Sequence, residues 1–154
     1  MGCSKYKKRF INVSILQALL LLIVIFSLSC RPEPLAPQEA VLYIVEPAAD
    51  SVIEGNSVDI FTYNLNFKIV DKVGQKNVPG EGHFIYYRDV TPPIVKGETA
   101  TTAEGTYITT IESRYTWHDI PAGDHIFWVQ LVNNDNTPVE PAAAVSVPVT
   151  VVNK

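Results

Sequence analysis

From Val41 onward the apolar residues recur at every second position, and no stretch repeats them at helical spacing. That period narrows the fold more than any other feature, because successive side chains of a strand point to opposite faces and a half-buried strand reads as an alternation. Val145-Ser146-Val147-Pro148-Val149-Thr150-Val151 is the plainest instance, with four valines on one side and Ser, Pro and Thr on the other. Pro148 has no N–H to give a neighbour, so this strand is expected at a sheet edge, or with that position turned away from its partner. Leu65, Phe67 and Ile69 alternate with Asn64, Asn66 and Lys68, whereas Val58 and Ile60 have the opposite parity. A bulge near Phe61 would reconcile the two.

Further strands are expected over residues 41–45, 83–88, 106–115 and 125–132, giving six main strands. Turn chemistry separates them at Gly55-Asn56, Val73-Gly74-Gln75-Lys76-Asn77, Pro79-Gly80 and Pro121-Ala122-Gly123-Asp124. Such spacing in about 115 residues implies an all-β, antiparallel sandwich of the immunoglobulin or fibronectin kind over residues 41–154. A short seventh strand has room in the 17-residue connection 89–105, which is long for such a domain and is a place for a binding loop or for a cap on one sheet. The domain lacks the cysteine pair of antibody sandwiches, so Trp117 or Trp128 is expected to fill the core centre.

Residues 1–30 read as an export signal or membrane anchor helix: Lys5 to Arg9 is basic, residues 15–28 are apolar except for Gln17 and Ser27, and small Ser29 precedes Cys30. Residues 31–40 contain three prolines and read as a semi-rigid tether. Phe26-Ser27-Leu28-Ser29-Cys30 resembles the lipobox of bacterial lipoproteins, in which the cysteine thiol carries a diacylglycerol. Ser27 stands where that motif has an aliphatic residue. Lipidation at Cys30 is the preferred outcome, ahead of an uncleaved helical anchor and of plain secretion. Each places the domain outside the membrane. Met1-Gly2-Cys3-Ser4 offers a competing reading as a myristoylation start, but Tyr6 stands where that motif wants Ser or Thr.

Charge and cysteine usage agree with export. Four of the twelve basic residues lie in the first nine positions, so beyond Cys30 eight basic face sixteen acidic residues, a balance of −8. That excludes the basic footprint of a nucleic-acid binder and leaves as partners the membrane, an envelope protein or a glycan. Cys3 and Cys30 are the only cysteines. No disulfide, Cys-based zinc site or cysteine nucleophile is therefore available to residues 31–154.

Three segments carry a family resemblance: Gly82-His83 leading to Asp89, Pro121-Ala122-Gly123-Asp124-His125-Ile126-Phe127, and Gln130-Leu131-Val132-Asn133-Asn134-Asp135-Asn136-Thr137-Pro138 before the valine strand. Together they resemble a family of exported immunoglobulin-like domains of bacteria and archaea, many of them on lipoproteins. The resemblance implies the fold and the exported location. Relatives carry extra histidines where this chain has Phe84, Ile85 and Asn136, so it weakens rather than supports a metal site.

Three functions compete for the domain. The preferred one is binding or structural support at the cell envelope, without catalysis and without a cofactor, since no Gly-x-Ser-x-Gly, Walker or Gly-x-Gly-x-x-Gly motif is present. The second is periplasmic metal handling through His83 and His125, with an acid such as Asp135 completing the set. Against it, His125 sits where its ring can bond a turn backbone, and His118-Asp119 reads as a solvated loop. The run Asn133-Asn134-Asp135-Asn136 offers calcium one carboxylate, and its residues are ordinary turn formers. The third is carbohydrate binding through outward-facing aromatics, with Tyr86, Tyr87, Trp117 and Trp128 as the named candidates; the competing expectation is that such residues pack the core.

Overall fold

A computed structural model describes residues 38–152, all of them strand, turn or irregular. The signal or anchor at 1–30, Cys30 and the tether up to residue 37 lie outside the described residues. The strands are β1 (Val41–Glu46), β2 (Ser51–Glu54), β3 (Val58–Leu65), β4 (Lys68–Ile69), β5 (Glu81–Arg88), β6 (Tyr107–Thr110), β7 (Arg114–Trp117), β8 (Gly123–Asn133) and β9 (Ala144–Val152). They form a three-stranded sheet, β1-β3-β7, and a six-stranded sheet, β2-β9-β8-β5-β4, in which β6 also pairs with β5. Taking β1, β3, β5, β7, β8 and β9 as strands A, B, C, E, F and G reproduces the A-B-E and C-F-G neighbours of an immunoglobulin-like sandwich.

The sheets meet over one core. Leu42, Val58, Ile60 and Trp117 from the smaller sheet pack with Phe84, Tyr86, Phe127, Val129, Leu131, Val147, Val149 and Val151 from the larger. Each such side chain contributes about 1.5–3 kcal/mol by leaving water, so this cluster replaces the missing disulfide as the source of stability. A second cluster lies on the other face of β5 and β8, where Ile85, Tyr87 and Val132 are roofed by Ala100 from the 89–105 connection. β5 is consequently buried on both faces over nearly its whole length. At Gly82 an added Cβ would stand 1.9 Å from the Val132 carbonyl oxygen, so only glycine lets β5 and β8 approach this closely.

Several expectations need correction. Residues 106–115 are not one strand: β6 pairs with β5 and β7 with β3, so the chain changes sheets between Thr110 and Arg114. The parity conflict is not settled by a bulge in β3. Leu65 stays on that strand and faces solvent, Asn66 turns with φ 58°, and β4 joins the other sheet. The register shift instead falls on β1 between Ile44 and Glu46, opposite Thr62 and Phe61. The sandwich is not wholly antiparallel, since β2 runs parallel to β9 and β4 parallel to β5. β9 is not an edge strand but sits between β2 and β8. The Pro148 carbonyl accepts from Asp50 N at 2.8 Å, which places its nitrogen on the β2 side where that pairing begins, away from β8. No strand forms within 89–105.

Candidate functional site

Placement on β5 decides what the named tyrosines do. Tyr86 points between the sheets and Tyr87 away from them, yet both are fully buried. The Tyr86 hydroxyl donates to Glu112 O at 3.1 Å and lies 3.1 Å from Thr62 Oγ1; burial pushes its pKa up to about 12. The Tyr87 hydroxyl lies 2.7 Å from both Ala100 O and Gln130 Oε1, and burial raises its pKa further. Gln130 Nε2 in turn donates to Pro93 O at 2.9 Å, so Tyr87 and Gln130 clamp two points of the 89–105 loop to the sheet.

The tryptophans are packing residues as well. Trp117 is 5% exposed, meets Tyr115 edge-on at 5.2 Å and lies under the Arg88 guanidinium at 5.3 Å. Trp128 packs against the second cluster under the loop. Tyr86, Tyr87 and Trp117 offer no open ring for a sugar, and Trp128 is partly buried against the second cluster.

The open rings lie elsewhere. Tyr43 on β1 and Tyr63 on β3 are 51% and 55% exposed and pair directly across the strands on the outer face of the three-stranded sheet. Val45 and Leu65 extend the patch. At its far end Arg114 stacks 4.6 Å over Phe61, bonds Glu46 at 3.0 Å and pairs with Asp59; Asp59 and Glu46 together strengthen the guanidinium's hold on its proton. The signal for this face is the unbroken apolar run Val41-Leu42-Tyr43-Ile44-Val45, which in an antiparallel pair means that the outward side is apolar too.

The histidines do not converge. His83 pairs with Val132 on β8, seven positions along from His125, a separation of about 20 Å at strand rise. His83 is fully buried, and its Nε2 donates to Asn136 Oδ1 at 2.8 Å. Burial lowers its pKa, opposed by the Asn136 bond and by Asp71. His125 Nδ1 lies 2.8 Å from Asp89 Oδ2 and Nε2 lies 2.9 Å from Pro121 O, so its ring ties the turn before β8 to the end of β5. Asp89 Oδ1 completes this corner by accepting from Ile126 N at 3.0 Å. His118 bonds Ser57 at 3.1 Å in an exposed loop. A cleft of about 350 Å³ borders His125, Asp50 and Asp124, but Thr150 Oγ1 already occupies Asp124 at 2.7 Å. Among the described residues no three His, Cys, Asp or Glu side chains are placed to hold a metal together.

The Asn-rich run spends its side chains on the turn. Asn133 Nδ2 donates to Thr137 and Pro138 oxygens, Asn136 meets His83, and Asp135 accepts from Thr137 and from Asn77. Burial alone would raise the Asp135 pKa, but the Thr137 and Asn77 bonds outweigh it and hold the carboxyl low.

Asn134 belongs to a polar cluster that the sequence did not advertise. Its Nδ2 reaches Glu81 Oε1 at 3.3 Å, and Lys72 Nζ donates to the same oxygen at 2.6 Å. The Lys72 bond holds the Glu81 carboxyl below its usual range against the opposing pull of burial, with help from Asn134.

No family model matches the chain, and no curated relative does. Two solved structures are similar to it at low identity. An engineered protein from the Northeast Structural Genomics Consortium is 10% identical with a TM-score of 0.41; the match covers 76% of this chain and 21% of that one, so the chain spans about a fifth of that protein's length. The PKD domain (329–428) of human KIAA0319 is 15% identical with a TM-score of 0.38, over 81% of this chain and 91% of that one.

Proposed function

We propose that this chain is a membrane-anchored cell-envelope lipoprotein whose immunoglobulin-like domain serves binding or structural support rather than catalysis. The anchor reading rests on the order of segments: a basic start, an apolar run, Cys30, and a proline-rich tether that leads directly into β1. The contact reading rests on the outer face of the three-stranded sheet, where Tyr43, Tyr63, Val45 and Leu65 remain exposed on a folded domain. A contiguous exposed apolar patch on a folded domain is often a contact site.

Intact-mass analysis of the membrane-extracted protein tests the anchor. A mature chain beginning at a diacylglycerol-bearing Cys30 is expected, and a mass that retains residues 1–29 without lipid removes the lipoprotein reading.

A second reading, carbohydrate binding, keeps its place with different residues. Two in-register exposed tyrosines are a stacking surface, and the excess of acid over base beyond Cys30 favours a neutral polysaccharide over an anionic one. Retardation of the protein in gels containing neutral polysaccharides, lost in the Tyr43→Ala, Tyr63→Ala double variant, is the expected result. Unretarded migration across the panel removes this reading and leaves the anchor untouched.

A further inference from the structure

Lys72, Glu81 and Asn134 come from three separate segments: the turn after β4, the first residue of β5 and the residue just beyond β8. Lys72 Nζ and Asn134 Nδ2 share one carboxylate oxygen, at 2.6 and 3.3 Å, so the two nitrogens lie roughly 4–5 Å apart at ordinary hydrogen-bond angles. The backbone holds them there, because Gly74 N donates to Asn134 O at 2.6 Å and closes the Lys72 turn onto the Asn134 segment. Asn134 is fully buried, and its Oδ1 has no hydrogen-bond partner among the described residues. An unpaired buried carbonyl is costly, and its oxygen is the atom on which negative charge develops when a nucleophile attacks its carbon.

The geometry points to an intramolecular isopeptide bond between Lys72 Nζ and Asn134 Cγ, formed by the folded domain on itself with Glu81 as the acid–base group. The reaction starts from the minor state in which Glu81 has taken a proton along the 2.6 Å bond from the Lys72 ammonium, an uphill transfer that leaves a neutral amine beside a carboxylic acid. The amine attacks Asn134 Cγ, and the Glu81 acid, which lies at Nδ2, is placed to protonate the leaving nitrogen. Glu81 takes the second proton of the attacking nitrogen as it delivers the first to Nδ2. The Cγ–Nδ2 bond breaks, and the departing ammonia takes the proton still held by Glu81, leaving as ammonium and returning Glu81 to its carboxylate. One C–N bond replaces another, so no oxidant, reductant or outside reactant is needed. Positioning replaces a collision between two groups, which in well-aligned intramolecular reactions has a large effect on rate. The product ties residues 72 and 134 covalently in a domain that has no cysteine for a disulfide. This inference does not depend on the anchor or on the tyrosine face.

The test is peptide mapping of the full-length chain, kept folded before digestion. Tryptic digestion should yield the Lys72 and Asn134 peptides joined, lighter than their sum by one ammonia, with no cleavage after Lys72. Lys72→Arg should give no joined peptide, and Glu81→Gln should slow joining at least about 100-fold. A folded wild-type chain that is cleaved after Lys72 and carries Asn134 in a peptide of full mass overturns the inference. Joining at the wild-type rate in Glu81→Gln overturns the role given to Glu81.

Discussion

The outer faces of the two sheets are built from similar residues and meet opposite fates. On the six-stranded sheet the 89–105 connection folds over Ile85, Tyr87 and Val132, and Tyr87 and Gln130 hold it by hydrogen bonds to Ala100 O and Pro93 O. On the three-stranded sheet nothing among the described residues covers Tyr43 and Tyr63. A tyrosine on a strand is thus a packing residue or a contact residue according to the loop above it, and the strand alone does not say which. Where a roof exists, the hydroxyl becomes its fastening. Where none exists, ring and hydroxyl are both free to meet a partner.

The widest test of that contrast is truncation at the two tyrosine positions. Tyr87→Ala should destabilise the domain by about 3–5 kcal/mol in chemical denaturation, since it empties the second cluster and releases the loop. A loss below about 1 kcal/mol would mean that the roof is not held from below. Gln130→Ala should cost about 1–3 kcal/mol and speed hydrogen exchange at Ala100 N more than at Val58 N. Equal acceleration at both amides would show that the loop unfolds only with the whole domain.

A pH series gives a smaller effect confined to the covered sheet. Burial lowers the His83 pKa in the folded state below its unfolded value of about 6.5. The folded state therefore resists protonation, so the His83 contribution is fully present above that pH and is lost as the pH falls toward the lowered folded value. Between about pH 7 and 5 the wild-type melting temperature should fall more steeply than that of His83→Gln. Parallel slopes would remove His83 from this role. The smallest stability change belongs to the bare face: Tyr43→Ala with Tyr63→Ala should cost no more than about 1 kcal/mol while abolishing any surface contact.

The valine alternation in residues 145–151 suffices to identify a strand, and turn residues such as Gly80 and Gly123 punctuate the chain where elements change. Between Thr110 and Arg114, however, the chain changes sheets with no Gly or Pro to mark it. The turn is made by Glu112 N bonding the Thr110 hydroxyl at 3.1 Å. The site was harder to read than the fold for the same reason. Tyr86 and Tyr87 look alike beside each other, and what hides Tyr87 is a loop that begins two residues later in the chain but returns over it from above. Lys72, Glu81 and Asn134 are unremarkable in sequence and gain meaning only because β5 and β8 are neighbours. His125 was legible as a turn-bonding residue, whereas its carboxylate partner Asp89 was not.

The placement of β9 between β2 and β8 bears on the order in which the larger sheet can assemble. β2 pairs in its sheet only with β9, so Ser51–Glu54 cannot settle until Ala144–Val152 arrives from the far end of the polypeptide. Pairing across so long a stretch must wait for loop closure and is slow. The β5-β8-β9 part of the sheet can therefore assemble first, and Ser51–Glu54 docks onto its β9 edge afterwards.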